Sequence, residues 1–284
     1  MTESSSGPNR RVEVRPDRGV TTVTMRDPAH RNVLAPEMVE QLVAAFDDAE
    51  SDGETCCVVL VADGPAFCAG AELGVLEASA SGDFSGIEDV YRGFLRVLES
   101  PLPTIAVVNG PAVGAGLNLA LACDLRLAGP DAMFDSRFLR LRLIPGGGHM
   151  WLLERSVGRE MATAMAVFGA RLSAQEAERA GLAYKAYESA EAATADAVQL
   201  ASGLAAAGPG FARALTQVAR TAPTLPTHAS ALDLERYTQR WSTTQPEFLA
   251  GVRRMREAVE RATAHQPPLA PTDATYERET HATP

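Results

Sequence analysis

Apolar positions along this chain keep two different periods, and the alternation between them sets its organisation. Val12 to Val14 and Val20 to Met25 flank Pro16-Asp17-Arg18-Gly19, which predicts a hairpin of two short strands. Met38, Leu42, Val43 and Phe46 recur at helical spacing, so residues 36–49 read as an amphipathic helix. Cys57 to Ala62 is apolar without a break, as expected of a strand covered on both faces. Ile87 to Leu98 returns to the helical period, and Thr104 to Val108 is a second buried strand. A helix from Ala115 to Ala122, a strand from Asp124 to Ala128 and a short strand around Met133-Phe134 follow. Ser173-Ala174-Gln175-Glu176 forms a capping box, Gly181 closes that helix, and Ala183 to Tyr187 reads as a strand. Beyond Glu188 the pattern is helical alone, with breaks at Gly208-Pro209-Gly210 and Pro223 to Pro226. Strands alternating with helices, then helices only, indicate an α/β core with a C-terminal helical region.

Composition narrows the function classes. The 284 residues are 46% hydrophobic and 22% charged, enough for one large or two modest cores. A net charge of -10 argues against a general nucleic-acid binder, because no basic stripe is available to neutralise phosphates. There is no apolar run of about 18 residues, so no membrane partnership is expected. The N-terminus, MTESSSGPNRR, has no apolar segment of the secretory kind. Cys56, Cys57, Cys68 and Cys123 lie in apolar or small-residue runs without metal-ligand spacing, and read as buried thiols of a reduced, cytoplasmic protein. Neither a His/Cys ligand cluster nor a nucleotide-type glycine fingerprint appears, so neither a metal nor a bound cofactor is expected. Residues 1–10 and 266–284 are rich in Pro, Thr and Ser and read as disordered tails.

Two loops carry the chemistry. Phe67-Cys68-Ala69-Gly70-Ala71-Glu72-Leu73 and Asn109-Gly110-Pro111-Ala112-Val113-Gly114-Ala115-Gly116-Leu117-Asn118 each follow a strand-like run, and the second opens into a helix. Paired turns of such small residues can aim two backbone N–H groups at one point, as an oxyanion requires. Together with Pro28 to Leu34, Asn109 to Gly129, Ile144-Pro145-Gly146-Gly147-Gly148 and Val157 to Leu182, these loops make the chain similar to the enoyl-CoA hydratase/isomerase (crotonase) superfamily over about residues 11 to 262.

The resemblance implies an α/β fold, a crotonase-like spiral of ββα units with a C-terminal helical region. The core with its CoA-thioester site would span residues 11–200, and a helical trimerisation region residues 201–265. The substrate would be an acyl-CoA, with coenzyme A as part of it, and the assembly a homotrimer or a hexamer of paired trimers. By similarity, the N–H groups of Ala71 and Ala115 would form the oxyanion hole. Arg31, Val33, Ala69, Glu72 and Leu73 would line the CoA channel, with Val113, Phe138 and Pro145 also at the substrate.

One part of the family pattern is missing. Hydratases of this family use two glutamates, because water is a poor nucleophile without a base. At the two corresponding positions this chain has Asn118 and Phe138. His149, after the glycine run and at a helix start, is a candidate neutral base; alternatively it packs against Trp151 or caps the helix. Asp135 is a second candidate base, or else an ion-pair partner of Arg137 or Arg140. Asn118 could hold a substrate carbonyl or a water, or be a structural amide inside its helix. Phe138 is most simply an apolar wall of the acyl pocket. Glu72 and Glu77 could border it, and Arg137, Arg140 and Arg142 could meet an anionic group or form surface ion pairs. These features suit an enolate- or oxyanion-stabilising acyl-CoA enzyme. The alternatives are a non-catalytic acyl-CoA binder, or a hydrolase, decarboxylase or double-bond isomerase on the same fold.

Overall fold

The hairpin signal folds as read: β1 (Val12–Asp17) and β2 (Val20–Met25) pair antiparallel, with Arg18 and Gly19 at positive φ in the turn. The computed structural model describes residues 10–264, so the two expected tails lie outside the described residues save for Arg10. These residues belong to two compact units, one ending at Leu234 and the other beginning at Glu235.

A 3₁₀ turn (Pro28–His30) leads into α1 (Pro36–Ser51), then β3 (Cys57–Ala62), α2 (Leu73–Ala80) and α3 (Ser85–Leu98). Next come β4 (Thr104–Val108), β5 (Pro111–Val113), α4 (Ala115–Ala122), β6 (Leu125–Ala128), β7 (Met133–Asp135), α5 (Phe138–Leu141) and α6 (His149–Ala166). The α/β part closes with β8 (Arg171–Ser173), α7 (Ala174–Arg179), β9 (Lys185–Ala186), α8 (Ala190–Ala205) and α9 (Pro209–Thr221). α10 (His228–Thr243) carries the chain past Leu234, and α11 (Pro246–Ala264) lies wholly in the second unit.

Strands of one large sheet run in the order β1-β2-β3-β4-β6-β9, parallel after the first pair; a small sheet runs β5-β7-β8. The chain visits the two in turn. β4 and β5 precede α4, and β6 and β7 precede α5 and α6, so each winding contributes one strand to each sheet and then helix. Earlier windings show the same order in single bridges, Leu34 with Ala71 and Cys68 with Ala112. This is the expected ββα spiral.

Unbroken apolar strands are explained by two cores. Val58, Leu60, Ala106 and Val108 face the main core, whereas Cys57, Val59, Ile105 and Val107 face a second one closed by Ala193, Ala197 and Ala201 of α8. Side chains alternate across the pleat, so a strand with both faces covered has no polar position. The short elements β5, β8 and α5 have no counterpart in the sequence reading, and other details differ from it. α2 was not anticipated; β9 shrinks to two residues because only Lys185 and Ala186 register with β6; and α6 breaks at Gly158, whose φ is 75° and ψ 166°. The Ser173 capping box is present, and all four cysteines are buried and free.

Candidate active site

The two glycine-rich loops are bonded back to back. Val113 N–H donates to Cys68 O at 3.0 Å, and Cys68 N–H to Pro111 O at 3.2 Å. Close approach rests on absent side chains. A Cβ on Gly70 would lie 2.7 Å from Val113 O and 3.6 Å from Ala115 N, and one on Gly116 would collide with the Cys68 carbonyl. Gly114 adopts φ 55° and ψ -114°, a conformation closed to L-residues, and so turns the chain abruptly into α4. Ala115 is therefore the first residue of that helix, where an N–H has no intrahelical acceptor. Among the described residues, neither the Ala71 nor the Ala115 N–H donates to a backbone carbonyl.

α4 is buried from Gly116 to Ala122 and held at its far end. The half-buried Arg126 guanidinium donates to the carbonyls of Cys123 (2.6 Å), Leu182 (2.6 Å) and Ala120 (3.4 Å). A cation at the C-terminal end complements the helix dipole, whose positive end meets the loops.

Ala71 and Ala115 border a cavity of about 420 Å³. Its walls are chiefly apolar: Leu76 from α2, Ile87, Val90 and Tyr91 from α3, Leu141 from α5, and Leu143 and Ile144 beyond it. Of the residues expected at the substrate, Ala69, Leu73, Val113 and Phe138 line the cavity, together with Asn118. Arg31, Val33, Glu72 and Pro145 lie outside this lining; Arg31 and Glu72 are exposed, and Arg31 O accepts from Ala69 N–H at 3.0 Å. Glu77 is also exposed and outside it. The α2–α3 wall went unanticipated, although the apolar stripe of α3 through Ile87, Val90 and Tyr91 was the available signal.

Asp135 is placed by arginines. Its carboxylate lies 2.8 Å from Arg137 and 3.4 Å from Arg171, is nearly fully buried, and is not part of the cavity wall. The sequence suggested Arg137 or Arg140; Arg137 does pair with it, and the β7–β8 pairing adds Arg171, opposite Asp135 in register. Arg140 and Arg142 are exposed.

His149 sits in a buried polar network, 1% exposed. Its Nδ1 is 2.6 Å from Asn118 Oδ1 and its Nε2 is 2.9 Å from Ser136 Oγ. Asn118 Nδ2 donates to Gly146 O at 3.3 Å, which fixes the amide orientation, since a carbonyl can only accept. Asn118 Oδ1 likewise only accepts, so Nδ1 of His149 carries the proton and Nε2 accepts from the Ser136 hydroxyl. Burial pushes the imidazole pKa down to about 4, which leaves it neutral at pH 7. The Phe138 ring meets it edge-on, with centroids 4.9 Å apart. The Trp151 ring is stacked by Arg155 at 3.6 Å. Ser136 lines the same cavity and was missed as a site residue; nothing in the local sequence marks a serine that fold alone brings to His149.

Comparison with known proteins points one way. The family model for enoyl-CoA hydratase/isomerase matches residues 15–262. A Mycobacterium tuberculosis protein named "Probable enoyl-CoA hydratase EchA14" is 44% identical over 240 residues, 82% of this chain and 93% of that one. The 1,2-epoxyphenylacetyl-CoA isomerase of Escherichia coli is 34% identical over 241 residues, covering 83% and 91%. Among solved structures, an enoyl-CoA hydratase from Bacillus anthracis superposes with a TM-score of 0.80 at 26% identity, covering 88% of this chain and 97% of that one. These similarities bear out the crotonase-like fold.

Proposed function

The chain belongs to the enoyl-CoA hydratase/isomerase family, and from that premise we propose that it stabilises a thioester enolate or oxyanion through the backbone N–H groups of Ala71 and Ala115. One observation carries this reading: both N–H groups lack a backbone acceptor and both residues border the same apolar cavity. Loss of one such donor typically costs ~10²–10³ in rate. The acyl group occupies the cavity, against Val113 and Phe138. Coenzyme A runs outward past Leu73 over Arg31, Val33 and Glu72, with Pro145 nearby; the bond from Ala69 to the Arg31 carbonyl supports this path.

The ordinary two-carboxylate hydration is not the reaction of this site. No carboxylate lines the cavity among the described residues, and Asn118 and Phe138 stand where hydratases of the family carry glutamates. Proton handling falls instead to neutral His149 and its partners. Crotonyl-CoA and longer enoyl-CoAs, followed by ultraviolet loss of the conjugated thioester, provide the test. Weak or absent hydration is expected, and family-level turnover that survives both His149→Ala and Asp135→Ala refutes this assignment.

Two further features belong to the proposal. Exposed Tyr237, Trp241, Phe248, Leu249, Val252 and Met255 in the second unit support assembly into a homotrimer or hexamer. Four buried free thiols support a reducing, cytoplasmic setting.

A further inference from the structure

We propose that Ser136, His149 and Asn118 form an acyl-transfer triad through which the protein hydrolyses acyl-CoA thioesters by way of an acyl-serine, an inference that rests on the acyl-CoA reading above. Three observations support it. Hydrogen bonds run in one direction, from Ser136 Oγ to His149 Nε2 at 2.9 Å and from Nδ1 to Asn118 Oδ1 at 2.6 Å, the order in which a hydroxyl is activated and its base oriented. Ser136 borders the cavity that Ala71 and Ala115 border, so nucleophile and oxyanion donors share one chamber. Gly114 N–H donates to Asp135 O at 2.9 Å, which ties the segment carrying Ser136 to the one carrying Ala115. All three side chains are buried, so bulk water does not compete for the Ser136 hydroxyl.

The steps balance. Ser136 Oγ bonds to the thioester carbonyl carbon while its proton passes to His149 Nε2. The carbonyl π electrons move to oxygen, which Ala71 and Ala115 hold. Collapse of this intermediate breaks the C–S bond, and His149 returns the proton to sulfur, releasing CoA as a thiol. Water then attacks the acyl-serine with His149 taking its proton; the carboxylic acid leaves and Ser136 regains its hydrogen. No oxidant or metal enters. His149 and Ser136 are the catalytic residues, and Asn118, acting through His149, is a positioning residue.

The experiment uses the full chain with octanoyl-CoA, free CoA being read by chromatography and the acyl adduct by intact-protein mass spectrometry. Binding is measured separately by calorimetry with a ketone analogue in which a methylene replaces the sulfur. The expected result is CoA release that falls by about 10³-fold in Ser136→Ala and in His149→Gln. For Asn118, the expected pattern is loss in Asn118→Ala and, in Asn118→Asp, a rate–pH profile displaced to higher pH because the carboxylate favours imidazolium, which a merely structural amide would not give. Ser136→Cys guards against a misfolded Ser136→Ala, and should accumulate an octanoyl adduct at position 136. Analogue binding without CoA release or adduct, or release unchanged in Ser136→Ala, overturns the triad and leaves the acyl-CoA reading standing. Failure to bind the analogue overturns both.

Discussion

Lowering the pH from 7 to 5 should remove about 2 kcal/mol of stability through His149 alone. The imidazole has an ordinary pKa of 6.5 and is pushed down to about 4 by burial in the folded chain. Between those values the unfolded chain binds the proton and the folded chain does not, so acid favours unfolding. The stability is therefore fully present above pH 6.5 and is lost as pH falls toward 4. The whole separation corresponds to about 3 kcal/mol, of which about 2 kcal/mol falls between pH 7 and pH 5. Urea unfolding followed by far-ultraviolet circular dichroism, at one fixed protein concentration, measures it. The reference is His149→Gln, whose amide can still bond Asn118 and Ser136 and does not titrate. Surface carboxylates and His30, which pairs with Asp27, are common to both proteins and cancel in the difference. The stability of wild type relative to His149→Gln should fall by about 2 kcal/mol on going from pH 7 to pH 5. A gap that stays constant over that range would show that His149 is not held neutral by burial, and the reasoning would fail.

Three other expectations test separate parts of the molecule. Gly116→Ala should cost about 1–3 kcal/mol, since the new methyl meets the Cys68 carbonyl; a melting temperature equal to wild type would contradict that packing. Arg126→Met should lower the urea midpoint by the equivalent of about 2–4 kcal/mol, because three carbonyl oxygens lose their donor at the end of α4; an unchanged midpoint would mean that water replaces the guanidinium without loss. Affinity for saturated acyl-CoA thioesters should strengthen with chain length by up to about 0.8 kcal/mol per methylene until the cavity fills. An acyl chain ending in a carboxylate should bind more weakly by calorimetry, because Arg137, the cation on the wall, is already paired with Asp135. Affinity independent of length would remove the acyl group from this cavity.

Much of the fold was legible because its signals are local. β3 is an unbroken apolar run and β4 is apolar after Thr104, α4 begins where the glycine loop ends, and α7 carries its own cap. α2 escaped because it buries no residue at all, so its sequence, LGVLEASA, has no core-facing stripe to display. β9 was overextended because Ala183 to Tyr187 has strand composition, while only two of those residues register with β6. The site divides along the same line. Loops holding Ala71 and Ala115 could be read from glycine spacing, and His149 from its place after a glycine run. Its partners could not: Asn118 comes from the interior of α4 and Ser136 from the segment after β7, and no sequence period relates them to a residue 31 or 13 positions away.

The network also accounts for Phe138 in physical terms. A carboxylate at that position would put a negative charge beside the imidazole, favour imidazolium and leave Nε2 protonated, with no lone pair for the Ser136 hydroxyl. The aromatic edge at 4.9 Å supplies no charge and adds to the desolvation that keeps His149 neutral. Asn118 works the same way. A carboxylate there would also stabilise imidazolium, whereas an amide oxygen accepts the Nδ1 proton and fixes the tautomer without adding charge. Asn118 and Phe138 are thus two uncharged neighbours that leave a buried imidazole neutral, with a bare nitrogen facing the Ser136 hydroxyl. Absence of carboxylates and presence of a neutral base are one electrostatic condition, met at one place.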